Sequence, residues 1–525
     1  MTSKCDIILL FLWIDCLRIR RTAVVWPHPP LACKGAKTWV CGRCLHQIPA
    51  PPPPSWPDGR NVTRAGRGFR RVVLGAAIAF ACSAGGVYAA QGTDSSSKRS
   101  GHADVACCVR FSSDSKSHLY KPGDRAVVEA MFADKAGNAL KQGVVELWAD
   151  DGWTNRVWTR TIDLAKDSQP VRMELSRSTP GSLRIHAKGA SIRERMDRIL
   201  FGVDEIMPLT PCPDGFEEYW RGEQRRLERE VPIDARKEPA PDISTSDHDV
   251  FRVSFATFGG SRIYGLLAVP KGGGRFPAIV NVPGAGIGLC RFNKEIVRKG
   301  WITLMMNVHG FPMGATASEQ KRNYDEWFKS YAEAAGEPRY QYVGYSVSRE
   351  TPLYHRAMLG MARAIDYLAA EPYVDPTRFV YYGCSQGGGF GMYLTALWGK
   401  FAKSVFLCPN KCDMCAFVHG REPGSSHIKN QKPENVAAAL EVAPWHDNCN
   451  FARMIKTPVG MMYGTADDNC QTVGGIAAFN CIASKDKRLR LLPGRGHGWH
   501  KADLERWLFN LEPTCTTTSK KGDER

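Results

Sequence analysis

The chain has 525 residues, 43% hydrophobic and 23% charged, the make-up of a folded protein with room for two cores. Its net charge of +17 is lopsided, because residues 1–90 hold twelve Lys or Arg against three Asp or Glu, so the other 435 residues carry only +8. No zinc-finger, RNP or basic-helix pattern accompanies that charge, and no nucleic-acid partner is expected.

Residues 1–61 are rich in Cys, Trp and Pro, with Pro51–Pro54 unbroken, and read as an unfolded leader ahead of a true start near Val62. Arg64, Arg67, Arg70 and Arg71 then precede the apolar run Val72–Cys82 and the small residues around Ala89 and Ala90. A basic n-region, a short h-region and a small-residue cleavage point make residues 62–90 a bacterial-type signal peptide, which predicts export to the periplasm or medium. No apolar run reaches the roughly 18 residues of a membrane span, so none is expected in the mature form.

Residues 91–112 are polar and Ser-rich, a predicted linker. Residues 113–200 then show short β-rich runs, Ala126–Phe132, Val144–Trp148, Val171–Leu175 and Ser182–Ile185, parted by Asp, Gly, Asn and Pro. That rhythm predicts a small all-β sandwich. Trp148 and Trp153 within it are read as core rather than as platforms for sugar rings.

From 201 to 512 the pattern changes. Phe216–Glu230 has the periodicity of an amphipathic helix, and Phe251–Phe258 and Arg262–Pro270 read as a hairpin. The mainly apolar runs Ala278–Val282, Ile302–Val308, Arg378–Tyr382, Ser404–Leu407, Val459–Tyr463 and Leu489–Leu492 follow, with a helix over Tyr354–Ala369. Short apolar strands alternating with helices predict an α/β fold, a mostly parallel sheet with helices on both faces. Residues 513–525 read as a disordered tail.

The chemistry centres on Gly383-Cys384-Ser385-Gln386-Gly387-Gly388-Gly389. Gly-x-Ser-x-Gly after an apolar strand is the nucleophile elbow, which lifts a serine out of the sheet at a sharp strand-to-helix turn. A serine hydroxyl needs a base, and the base needs an acid to fix its tautomer. On such sheets the order is Ser, Asp, His. Asp467 lies just beyond the Val459–Tyr463 strand and His497 just beyond the last one, where ligand-side groups converge. Asp468 and His500 are their neighbouring alternatives. An oxyanion hole is expected from the backbone of Gln386 and from Gly284 and Ala285 after the first buried strand.

Of eighteen cysteines, five fall in residues 1–60, where Cys41-x-x-Cys44 is read as a chance pair. Cys408, Cys412 and Cys415 cluster in the body without paired metal spacing. They are expected to be structural, through disulfides or burial, and no metal site is predicted.

These residues resemble the acetyl xylan esterase and cephalosporin-C deacetylase family of serine esterases over roughly 210–512. The resemblance rests on Asp214-Gly215-Phe216 to Trp220, the Tyr354–Ala369 helix, the Gly-Cys-Ser-Gln-Gly-Gly-Gly run, Leu407-Cys408-Pro409 to Cys412-Asp413, and the Asp467 and His497 loops. It implies an α/β-hydrolase with Ser385 as nucleophile, His497 as base and Asp467 as its partner, needing no cofactor. It further implies a substrate that is an acylated oligosaccharide such as acetylated xylan, or another small ester, and homo-oligomerisation as an option. Three positions depart from the family: its oxyanion-loop Tyr falls at Ala285 or beside it, its Pro-Pro is Gln471-Thr472, and its Arg-Gly-Gln is His309-Gly310-Phe311. His309, Phe311 and Trp499 are therefore expected around the substrate pocket. Two other readings share these features. A prolyl-oligopeptidase-like peptidase has the same triad order but would bring a propeller or an amine-binding acidic pair. A non-catalytic carbohydrate-binding surface protein does not need the complete Ser, Asp and His set.

Overall fold

A computed structural model describes residues 108–500 apart from 135, 190–191 and 293–295, together with 507 and 508. The leader, the signal-like segment, the tail and most of the expected linker lie outside the described residues.

The front of the described chain is all β: β1 (Cys108–Ser113), β2 (Leu119–Tyr120), β3 (Arg125–Ala133), β4 (Val144–Asp150), β5 (Arg156–Asp163), β6 (Val171–Ser176), β7 (Gly181–Gly189) and β8 (Ile192–Phe201). The strand region thus begins at Cys108, inside the stretch expected as a linker to residue 112. One sheet has the order β1-β3-β6 and the other β2-β8-β7-β4-β5. Period-two alternation aims Ala126, Val128, Ala130 and Phe132 of β3 at Leu147 and Ala149 of β4 and Ile185 of β7, which form the inner layer of a sandwich. Trp148, on the other face of β4, is buried outside that inner layer, stacked on His186 at 4.7 Å between centroids with the Arg156 guanidinium 4.5 Å over its ring, and Trp153 is half-buried beneath Lys429.

Helix α1 (Phe216–Glu230) buries Phe216, Trp220, Glu223 and Leu227, the spacing of one helical face. The Trp220 indole is fully buried and donates to the Trp445 carbonyl at 3.0 Å, so its one polar group is satisfied.

The main sheet contains β9 (Arg236–Pro239), β10 (His248–Ala256), β11 (Arg262–Pro270), β12 (Phe276–Val282), β13 (Ile302–Asn307), β14 (Val374–Cys384), β15 (Lys403–Leu407), β16 (Val459–Gly464) and β17 (Lys487–Leu492). Their order is β17-β16-β15-β14-β12-β13-β11-β10-β9. Strands β12 to β17 pair in parallel, and β9, β10 and β11 are joined on antiparallel.

Both faces of the sheet's centre are covered, which is why β12, β13, β15 and β16 are almost wholly buried. Ile279, Val380, Val405 and Met462 pack on one side, and Val280, Tyr381, Phe406 and Met461 on the other. Helices α2 (Ala317–Phe328), α3 (Leu353–Ala369), α4 (Gln386–Trp398), α5 (Pro433–Val442), α6 (Asn448–Ala452) and α7 (Thr472–Cys481) complete the layers. The molecule is an α/β-hydrolase fold preceded by a β-sandwich. Among the described residues no helix is long and apolar enough to cross a membrane.

Candidate active site

Ser385 stands between β14 and α4 with φ 58° and ψ −119°, a conformation that costs an L-residue of order 1–3 kcal/mol. Its surroundings over-determine it. The Ser385 N–H donates to the Leu407 carbonyl at 2.8 Å, while its own carbonyl accepts from Gly389 at 3.0 Å and Asn410 at 3.2 Å. Gly387 follows because the backbone there presses on β12, where a β-carbon would collide with the Val282 carbonyl oxygen. All of α4 is buried, so the elbow is backed by core rather than by a mobile loop.

Asp467 and His497 meet beside this turn. His497 Nδ1 lies 2.8 Å from Asp467 Oδ2, with the carboxylate fully buried and the imidazole side chain 16% exposed. The second oxygen, Oδ1, accepts from the N–H groups of Asn469 at 3.0 Å and Cys470 at 2.9 Å. These bonds leave Asp467 one free direction, toward His497. The alternatives do not share the arrangement: Asp468 and His500 are exposed.

Burial alone would push the His497 imidazole down. The hydrogen bond with Asp467, reinforced by the Cys408 thiol, outweighs it and raises the group to about 10. Ser385 Oγ is not hydrogen-bonded to His497; its polar contact is Cys470 Sγ at 3.9 Å.

The three clustered cysteines are free and buried, so burial and not a disulfide accounts for them. Cys408 is more than filler. Its Sγ, an Asp467 oxygen and a His497 nitrogen lie within 4.8 Å of one another, a donor set able to hold a metal ion. The Cys384 thiol, hydrogen-bonded to Cys408, is the main reason that Cys408 falls to about 7, with burial opposing and His497 assisting. Two signals marked these sulfurs in the sequence. Cys408 follows the end of a parallel strand, and Cys470 comes three residues after Asp467.

Gln386 opens α4, where first-turn N–H groups have no intrahelical acceptor. Its side chain turns inward, and Oε1 accepts from Tyr340 at 2.8 Å and Tyr354 at 2.5 Å, so what it offers the site is its backbone. Gly284 lies alongside: a β-carbon there would sit 4.0 Å from that of Ser385. Ala285 is exposed on the same loop.

His309 and Phe311 pack behind that loop instead of lining an open surface. His309 is buried with ring centroids 4.9 Å from Trp327, 5.0 Å from Tyr340 and 5.3 Å from Phe311. Burial drops its imidazole to about 3, only partly offset by the Gly286 backbone, so it adds no charge. Trp499 is half-buried against the cluster that contains Tyr382 and Leu407. Lys411, fully buried, donates to Tyr345 at 2.6 Å and lies 4.4 Å from the Tyr354 ring, and burial lowers its ammonium to about 7.

A strained serine at a helix amino terminus and a histidine held by a buried carboxylate thus lie on turns at the carboxyl end of the sheet. A family model, Acetyl xylan esterase (AXE1), matches residues 196–510. The chain belongs to that family.

Acetyl esterase Axe7A of Xylanibacter ruminicola is 24% identical to it over 384 residues, 71% of this chain and 82% of its own. Similar solved structures include acetyl xylan esterase 1 from Thermoanaerobacterium sp., 22% identical, covering 58% of this chain and 96% of that one at a TM-score of 0.48. The acetyl xylan esterase from Paenibacillus sp. R4 is likewise 22% identical, with 58% and 97% covered and a TM-score of 0.48. As an acetyl xylan esterase family member, the chain is an ester hydrolase of the α/β-hydrolase class.

Proposed function

We propose that the protein is an exported serine esterase that removes acetyl and other short acyl groups from acylated carbohydrates, through an acyl-enzyme on Ser385. The observation that carries this reading is the 2.8 Å contact of His497 Nδ1 with the buried Asp467, beside a serine on a strand-to-helix elbow.

With Nδ1–H committed to Asp467, the other ring nitrogen of His497 is the base. It takes the Ser385 proton as Oγ bonds to the acyl carbon. The negative charge that forms on the carbonyl oxygen is met by the N–H of Gln386 and a second N–H from the Gly284–Ala285 loop. Collapse breaks the ester C–O bond, and the sugar oxygen leaves with the proton from His497. Water then attacks the acyl carbon as His497 accepts its proton, and a second collapse frees the carboxylic acid and restores Ser385. No step calls on a cofactor. Export rests on the residue 62–90 pattern, and sequencing the mature amino terminus tests it.

The decisive experiment gives the full chain acetylated xylo-oligosaccharides and proline-containing peptides in parallel, with Ser385→Ala as control. Acetate release that disappears in the variant, with an acyl adduct trapped on the Ser385 peptide, is the expected result. Turnover of the peptides alone, or acetate release unchanged in Ser385→Ala, would sink the reading.

A further inference from the structure

β8 has two faces with different neighbours. Ile199 and Phe201 fill the sandwich core, while Leu200, one residue over, packs into the core of the catalytic sheet. Arg198 shares the Leu200 face and is completely buried.

Every nitrogen of its guanidinium is engaged. Nε donates to Glu422 Oε2 at 3.1 Å, and Nη2 donates to both oxygens of that carboxylate at 2.7 and 2.9 Å. Nη1 donates to the main-chain carbonyls of Thr465 at 2.9 Å and Asp467 at 2.8 Å. The adjacent Asp197 reaches the same turn. Its Oδ1 accepts from Thr465 Oγ1 at 2.5 Å, and that hydroxyl accepts from the Gly494 N–H at 2.8 Å, on the approach to His497. Glu422 is held from behind by Arg184 Nη1 at 3.1 Å, and Arg184 is itself forked onto Asp150 at 2.9 and 3.0 Å.

A buried ion pair is a costly way to stabilise a fold, since apolar residues of the same volume often do as well. Glu422 cancels the charge of Arg198, so what the pair adds is geometry. The rigid fork holds a carboxylate on Nε and Nη2 and two carbonyls on Nη1, which the single nitrogen of a lysine cannot do. The carbonyls it holds belong to the turn that aims Asp467.

We propose that Arg198 is a positioning residue of the esterase: a side chain of the front sandwich that locks the Thr465–Asp467 main chain so that Asp467 keeps its oxygen on His497. This rests on the catalytic assignment made above.

The test uses the full chain with Arg198→Lys, Arg198→Met and the double variant Arg198→Met/Glu422→Leu, which removes both charges and keeps the volume. Thermal midpoint, kcat and KM for p-nitrophenyl acetate across pH, and the titration of the His497 imidazole by NMR are measured. The expected double variant folds, loses about 10- to 100-fold in kcat, changes KM by less than about threefold, and titrates His497 at lower pH because its carboxylate has loosened. A folded double variant with wild-type kcat and an unmoved His497 titration overturns the proposal. So does Arg198→Lys with full activity, or loss of folding in all three variants, which leaves Arg198 a structural residue only. Ser385→Ala is run alongside: if that variant keeps its activity the catalytic reading itself fails, whereas its inactivity beside active Arg198 variants removes the positioning role alone.

Discussion

Ser385 Oγ and Cys470 Sγ face one another at 3.9 Å, so the polar neighbour of the hydroxyl is a thiol from the loop that carries Asp467. Cys470 is placed there by the turn that orients Asp467, since its own N–H is one of the two donors on Oδ1. Sulfur is a weak hydrogen-bond partner, so it holds the hydroxyl without trapping it. Catalytic hydrogen bonds commonly tighten only when substrate is present.

Removing that thiol should therefore leave the chemistry intact. Cys470→Ala is expected to keep kcat/KM for p-nitrophenyl acetate within about threefold of the parent. A fall beyond tenfold, roughly, would show that the sulfur takes part in the reaction.

The two adjacent carboxylates should behave differently. Asp467→Asn presents an amide that stabilises the wrong imidazole tautomer, and kcat should fall by about 10⁴. Asp468→Asn, at an exposed position, should leave kcat within about twofold. The same contrast applies to His497→Ala against His500→Ala. Steady-state kinetics on all four variants, with circular dichroism to verify folding, decide it.

Activity should rise with pH well into the alkaline range. Only neutral imidazole can take the serine proton, and Asp467 and Cys408 hold His497 protonated up to about 10. Cys408→Ala removes one of those two supports, so the rising limb of kcat/KM should move to lower pH. The stability consequence has the opposite sense. A histidine raised on folding contributes fully below its ordinary value near 6.5, and that contribution is lost as pH climbs through about 10. Urea midpoints at neutral and alkaline pH should show the parent losing stability over that span and Asp467→Asn losing less.

The elbow tolerates no added carbon at its second glycine. Gly387→Ala drives a methyl into the Val282 carbonyl of a central strand, and stability should drop by about 2–4 kcal/mol, read by denaturant titration. The inverse control, Gly399→Ala at the open end of α4, meets no atom within 4 Å and should lose only what its left-handed backbone costs a side chain.

The elements that the sequence announced most clearly are those whose environment is uniform. Arg262–Pro270 and Phe216–Glu230 form a strand and a helix with the bounds expected, because alternation and helical spacing each report one buried face. The Ser385, Asp467 and His497 turns were legible because each comes shortly after a strand of the sheet. β8 was missed. Ile192-Arg-Glu-Arg-Met-Asp-Arg-Ile-Leu-Phe201 reads as a charged surface segment, and nothing local says that Arg198 is buried. Its partner Glu422 stands 224 residues away, beyond the range of any periodicity. His309 and Phe311, expected around the pocket from the family's motif position, are buried and stacked on one another among aromatic rings.

The Arg198–Glu422 fork has a consequence for whether the two layers can be parted. Two architectural layers that look exchangeable, a sandwich and a hydrolase sheet, are joined through Glu422, which takes both Arg198 and Arg184 of the sandwich beside the turn of the acid. Without the sandwich, buried Glu422 would lose both of its cations and the Asp467 turn the donor on its carbonyls. Removing the front sheet would leave a buried carboxylate uncompensated and two main-chain carbonyls of the Asp467 turn without their donor, a cost that ties the two layers together despite their separate cores.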